Sequence, residues 1–204
     1  MSSENTKPLP PAAQEILDFW LKAEDQESLL TRWFRGGPEL DQEIQARFGK
    51  LLTAAEARQL ESWHDQPQSL LALIILLDQF SRQIYRGSGQ AFGNDAYALE
   101  LAELALSRGW DQDFPPLTRM FFYLPFEHAE SRAQQARAVA LFTALQQGVP
   151  AAEQDLFTYF LDYALSHQAV VERFGRFPHR NARLGRESTA EELAFLQEPG
   201  SSFG

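Results

Sequence analysis

With 204 residues, 44% of them hydrophobic, the chain is long enough to bury a sizeable core and has the composition of a soluble globular protein. A net charge of −10 leaves no broad positive field, which argues against nucleic acid and anionic membranes as partners. The absence of cysteine excludes disulfides, thiol nucleophiles and cysteine-ligated metals or clusters, and fits a cytoplasmic location.

Residues 1–11 carry no apolar leader segment and read as a polar N-terminal tail, with one helical domain over 12–204. Pro10-Pro11 followed by Ile16, Leu17, Trp20 and Leu21 predicts a first helix. Ser28 to Phe34 reads as a short second helix closed by Gly36-Gly37-Pro38. From Pro38, the residues Leu40, Ile44, Phe48, Leu51 and Leu52 make one apolar stripe, and Thr53-Ala-Ala-Glu56 reads as a capping box that opens a fresh helix through Leu60. After Asp65-Gln-Pro67 a helix across 67–83 is apolar nearly all round from Leu70 to Leu77. Such a helix belongs at the centre of a domain, and the run is too short to cross a bilayer.

Arg86 to Gly89 is a loop, and Asn94 or Asp95 caps a helix from Ala96 to Arg108, which Gly109 ends. Pro115 starts the next helix, and Pro125 should kink or end it because it lacks the N–H and clashes with the preceding turn. Helices fit Arg132–Gln147 and Glu153–Phe174, the latter ending at Gly175. Pro178 to Gly185 is loop, and Ser188-Thr-Ala-Glu191 reads as a second capping box before a short final helix. Helices joined by short loops and no strand pattern imply an all-α array of antiparallel neighbours. Tyr97-Ala-Leu-Glu-Leu-Ala is faintly similar to a tetratricopeptide half-repeat, but the period of about 34 residues is missing.

Three polar constellations interrupt this pattern. Asp78, Gln79 and Arg82 close the apolar helix; Asp78 and Arg82, four apart, share a face and can pair, while Arg82 and Arg86 offer an anion site. Glu127, His128 and Glu130 follow Pro125. Their spacing is not the one that sets several ligands on one helical face, so no metal site is expected, and the alternatives are an acid–base group or carboxylates that receive arginines. Glu127 and Glu130 can share a face, with His128 pointing elsewhere. The third is the segment 173–186, with Arg173, Arg176, Arg180, Arg183, Arg186, His179 and Asn181, preceded by His167 on the long helix. Guanidinium groups are planar donors for carboxylate or phosphate. The segment either locks the C-terminus by pairing Arg176 and Arg180 with Asp78, Glu127 or Glu130, or walls an anion pocket. No Gly-rich phosphate loop, nucleophilic-serine motif or cofactor motif is present.

Four segments together resemble one family: Leu76-Leu-Asp-Gln-Phe-Ser-Arg-Gln-Ile-Tyr-Arg86, Phe122-Tyr-Leu-Pro-Phe-Glu-His-Ala-Glu130, Phe174-Gly-Arg-Phe-Pro-His-Arg-Asn181 and Leu184-Gly-Arg-Glu-Ser-Thr-Ala-Glu-Glu192. Over roughly residues 12–203 the chain is similar to bacterial members of the domain-of-unknown-function 924 family, in which Pro-Arg often stands where this chain has Ser81-Arg82. The resemblance implies a tetratricopeptide-like α–α superhelical array and no particular reaction. Three functional readings follow. The first is a binding scaffold whose Arg/His/carboxylate-lined groove takes an acidic peptide or a small anionic ligand. The second is an enzyme on a small anionic substrate, with His128 or His179 as acid–base group, Glu127 or Glu130 orienting it, and Arg82, Arg176 and Arg180 holding the anion. In the third, the polar cluster only fixes the fold.

Overall fold

The computed structural model describes residues 8–201, and every regular element among them is helical. The tail expected at 1–11 lies largely outside the described residues. Of its last positions, Leu9 packs on the core and Pro11 already opens α1 (Pro11–Leu21), where its missing N–H costs nothing. Next comes α2 (Gln26–Arg35), whose N-cap Asp25 accepts from the Ser28 N–H at 2.8 Å. Two side chains fasten it to α1: Trp33 Nε1 donates to the Trp20 carbonyl at 2.8 Å, and Arg32 donates to the carbonyls of Phe19 and Lys22.

α3 runs unbroken from Pro38 to Glu56, so the capping box expected at Thr53 does not form. The Thr53 hydroxyl instead donates back to the Gly49 carbonyl at 3.2 Å, a bond available to a threonine inside a helix. Arg58 then turns the chain with φ 57°, in place of a fresh helix through Leu60.

The central apolar helix comprises α4 (Pro67–Ile74), one wider π turn (Ile75–Phe80) and α5 (Ser81–Ile84). Leu70 to Leu77 are fully buried, as an all-round apolar helix requires. The π turn is marked by the Ser81 N–H reaching back to the Leu76 carbonyl, while the Ser81 hydroxyl donates to the Leu77 carbonyl at 2.6 Å. The expected helix over 67–83 is therefore continuous in direction but carries an extra residue, and Asp78 lies within that turn.

Packing follows two schemes. α1 packs on α4, and α3 packs on the π turn and α5. From α6 (Asp95–Ser107) onward each helix packs on its predecessor, through α7 (Pro116–Glu127), α8 (Arg132–Gln147) and α9 (Gln154–Phe174). One core joins residues from Ala13 to Ala164, with ring contacts such as Trp20–Phe80 at 5.1 Å and Trp33–Phe121 at 4.9 Å tying its halves together. Pro125 does not end α7 at its own position: the helix continues two residues further, to Glu127, with Met120 to Glu127 all buried. The proline stands within the last turn and leaves the Phe121 carbonyl without its i+4 donor, one bond lost shortly before the helix ends. Gly109 and Gly175 end α6 and α9 in the left-handed conformation that favours glycine.

The last helix, α10 (Ala190–Phe195), is opened by a capping box one residue later than Ser188–Glu191 would place it. The Thr189 hydroxyl accepts from the Glu192 N–H at 3.1 Å, and the Glu192 carboxylate accepts from the Thr189 N–H at 2.7 Å. Both frames satisfy the motif, and Glu192 is chosen because its carboxylate is also the partner of Arg176.

Candidate functional site

The π turn delivers Asp78 to the end of the apolar helix, 1% exposed, and its two carboxylate oxygens have three side-chain partners. Oδ1 accepts from His128 Nδ1 at 2.6 Å and faces Arg82 Nη2 at 3.3 Å; Oδ2 accepts from the Gln79 amide at 2.6 Å. Burial alone would raise the Asp78 carboxyl, but His128, Arg82 and Gln79 outweigh it and hold the group ionised, below the usual carboxylate range. An ionised carboxylate only accepts, so the proton of the neutral His128 ring is on Nδ1, and Nε2 carries the lone pair. His128 is itself shifted down, by burial and by Arg82, against the pull of Asp78. It keeps 14% of its side chain accessible at the C-terminus of α7.

Arg82 bridges onward. Its Nη2 donates to Asp95 Oδ1 at 3.0 Å and its Nη1 to the Ala91 carbonyl at 3.1 Å. Asp95 Oδ2 in turn accepts from Arg180 Nη1 at 2.9 Å. Arg180 is buried, with its guanidinium carbon 4.5 Å from the ring centroids of both Phe92 and Phe177. Two carboxylates and two guanidiniums thus balance in one chain, Asp78–Arg82–Asp95–Arg180. The Nε–H groups of Arg82 and Arg180 are buried and have no hydrogen-bond partner among the described residues.

On the other side of His128, a second acid–histidine contact is neutral. His167 Nδ1 lies 2.9 Å from the Tyr163 carbonyl and 3.3 Å from Glu127 Oε1. A backbone carbonyl only accepts, so Nδ1 carries the proton here too. Burial, and then His128, push His167 down to about 3. Burial, and then the Asp78 charge, push Glu127 up to about 8, with Arg82 opposing. The pair is thus a contact between uncharged groups, and the rings of His128 and His167 lie 6.2 Å apart.

Residues 16–200 match the family described as bacterial protein of unknown function (DUF924). The chain belongs to the DUF924 family. A solved structure of a protein of unknown function from Agrobacterium tumefaciens is similar to it at 40% identity and a TM-score of 0.77, covering 91% of this chain and 96% of that one. No curated protein matches the sequence. The four segments that carry the resemblance are also the ones that meet in this DUF924 chain: the first supplies Asp78 and Arg82, the second His128 and Glu130, the third Arg180, and the fourth Arg186 and Glu192.

The structure brings Asp78, Gln79, Arg82, Glu127, His128 and Arg180 together, and separates others that the sequence grouped with them. Arg86 stands apart on the surface, paired with Asp41 at 2.5 and 2.9 Å, and offers no anion site with Arg82. Arg176 and Asn181 serve a neighbouring cluster: Arg176 binds both Glu192 oxygens at 2.7 and 2.8 Å, and the Asn181 amide donates to Ser188 and Glu192. Glu130 does not share a face with Glu127; it accepts two bonds from Arg186, at 2.6 and 2.8 Å, and one from the Phe177 N–H at 2.7 Å. His179 packs beside Phe177 and Phe92, and burial with the nearby Arg180 and Arg183 pushes it down to about 4. The arginine segment does pair with carboxylates, but neither Arg176 nor Arg180 takes Asp78, Glu127 or Glu130. Asp95, the hinge of the network, read from sequence only as one of two candidate caps. Asn94 occupies the cap position and directs its amide to Glu56 at 3.0 Å. Among the described residues, no group of three or more His, Asp and Glu side chains is arranged to hold a metal ion. No described helix is long and apolar enough to cross a membrane.

Proposed function

We propose that this protein is an enzyme acting on a small anionic substrate, with His128 as its acid–base group. The observation that carries this reading is the 2.6 Å bond from His128 Nδ1 to a buried, ionised Asp78. It fixes one tautomer and leaves Nε2 to take a proton from a substrate and return it, and the adjacent carboxylate stabilises the imidazolium formed in between. The downward shift of His128 keeps the base form dominant near neutrality. The buried Nε–H groups of Arg82 and Arg180 are the donors through which an anion would be held, and the placement of Asp78 in a π turn fits the frequent use of such turns at functional sites.

The test compares the wild-type protein with His128→Asn in a broad mixture of small anionic metabolites, followed by mass spectrometry. Asn keeps a donor for Asp78 but cannot take a proton. The expected result is at least one compound consumed by the wild type and lost about 10²–10⁴-fold more slowly with the variant. Equal consumption by both proteins would end the reading, as would consumption by neither.

A binding scaffold is the second reading, favoured by the succession of helices from α6 to α9, each packed on the one before, and by half-exposed rings on α2 and α9. Its acidic-peptide form is weakened by internal pairing, since Arg173, Arg176, Arg180 and Arg186 all hold carboxylates of the chain itself.

A further inference from the structure

A groove of about 290 Å³ runs between α2 and α9, lined by Phe34, Tyr159 and Phe160, with Glu27 and Arg35 at its rim. The same three rings, with Tyr163, also line a smaller recess of about 20 Å³ whose lining includes Glu127. The rings form a continuous series: Phe34 to Phe160 at 5.9 Å, Phe160 to Tyr159 at 6.0 Å, and Tyr159 to Tyr163 at 5.4 Å. Phe34 and Tyr159 are each 48% exposed, an unusual allowance for large rings on one face. Glu127, 3% exposed overall, lines the recess and not the groove itself.

From this geometry we propose that the α2–α9 groove binds a small organic ammonium, with its cationic head over the aromatic faces and against Glu127. Aromatic faces attract cations, and the attraction grows when water is excluded. A purely apolar ligand would gain nothing from the Glu127 carboxyl, and an anion would meet the negative faces of the rings and the Glu27 carboxylate. Arg35 lies at the outer end, where it can face the tail of the ligand but not the recess.

Binding is coupled to one proton. The groups facing Glu127 are His167 and Tyr163 from α9, Asp78 from the π turn and Arg82 from α5. None of them supplies a full positive charge at contact distance, since His167 is neutral and Arg82 is engaged by two aspartates. An incoming ammonium supplies that charge. Glu127 then gives its proton to solvent, and carboxylate and ammonium pair. Ammonium binding does not use the His128 Nε2 lone pair, so its test is separate from that of the acid–base reading.

The experiment is calorimetric titration of the full chain with benzylammonium and with its neutral isostere benzyl alcohol, at about pH 6 and pH 8, for wild type, Tyr159→Ala and Glu127→Gln. The expected result is ammonium binding that tightens by up to about tenfold per pH unit in this range, as release of one proton requires. Benzyl alcohol should bind at least about tenfold more weakly and without pH dependence. Tyr159 is half exposed, so its alanine variant should stay folded and lose affinity. Glu127→Gln should bind the ammonium no better than the alcohol. Equal affinity for both ligands, retained binding in Glu127→Gln, or no heat from the wild type at millimolar ammonium would each overturn the proposal.

Discussion

Glu127 makes a stability prediction whose sign can be worked through. Its ordinary value is 4.5, and in the folded protein burial and Asp78 push it up to about 8. Between those values the folded chain holds a proton that the unfolded chain has released. A group raised in this way supports the fold fully below its unfolded value, and that support is lost as pH rises through the folded value. Each pH unit in the interval corresponds to about 1.4 kcal/mol. From about pH 5.5 to pH 8.5 the integrated loss is about 3 kcal/mol, because roughly two and a half units lie below the folded value. His64, His128, His167 and His179 are all shifted down, so they contribute the opposite trend and obscure the loss in the wild type alone. Glu127→Gln removes the titration while keeping the shape and an oxygen toward His167. Urea unfolding of both proteins at the two pH values therefore isolates the effect: the two should be close in stability at the lower pH, with the variant ahead by about 3 kcal/mol at the higher. If the gap between them does not change with pH, Glu127 is not held neutral and the argument fails.

Two further substitutions test the C-terminal segment. Arg180→Ala should cost about 3–5 kcal/mol in denaturant unfolding, since it removes a buried guanidinium from Asp95 and from two rings; a neutral result would show that Arg82 alone compensates Asp95. Thr189→Ala should cost about 1 kcal/mol by removing the α10 cap, whereas Ser188→Ala should cost less because Ser188 makes no cap bond; the reverse order would restore the Ser188 frame.

The parts that were legible in the sequence follow from periodicity. Leu70 to Leu77 had to be central because no face of that helix is polar, α8 spans the expected Arg132–Gln147, and α9 ends at Phe174 ahead of Gly175. The parts that were not legible depend on choices between equivalent local options. Thr53 and Ser188 each open a sequence of the capping type, yet in α3 the helix is carried past the motif by Leu52 and Ala55 packing into the core, and near α10 the frame is set by Arg176 reaching Glu192. The π turn left no mark, since one extra residue in an apolar run does not disturb a pattern that is apolar on all sides.

The same logic governs the site. That arginines of the 173–186 segment would meet carboxylates followed from their number in an acidic chain. Which carboxylates they meet did not, because pairing is decided by where rigid elements bring the groups and not by residue type. α6 starts beside α5, so Asp95 comes between Arg82 and Arg180, and once both guanidiniums share it, Arg82 reaches Asp78 only through the oxygen that also accepts from His128, and no cation pairs with Glu127 among the described residues. The acid–base geometry of His128 and the neutral carboxyl at the aromatic groove are thus two consequences of one allocation. If Asp95→Asn were to free Arg82 and Arg180 from that shared carboxylate, Asp78 would draw Arg82 closer and the fixed tautomer of His128 would weaken. A ¹⁵N spectrum of the imidazoles, with Nδ1–H dominant in the wild type and a mixed tautomer in Asp95→Asn, is the direct sign of that coupling, and an unchanged tautomer would show that Asp78 orients His128 without help from the arginines.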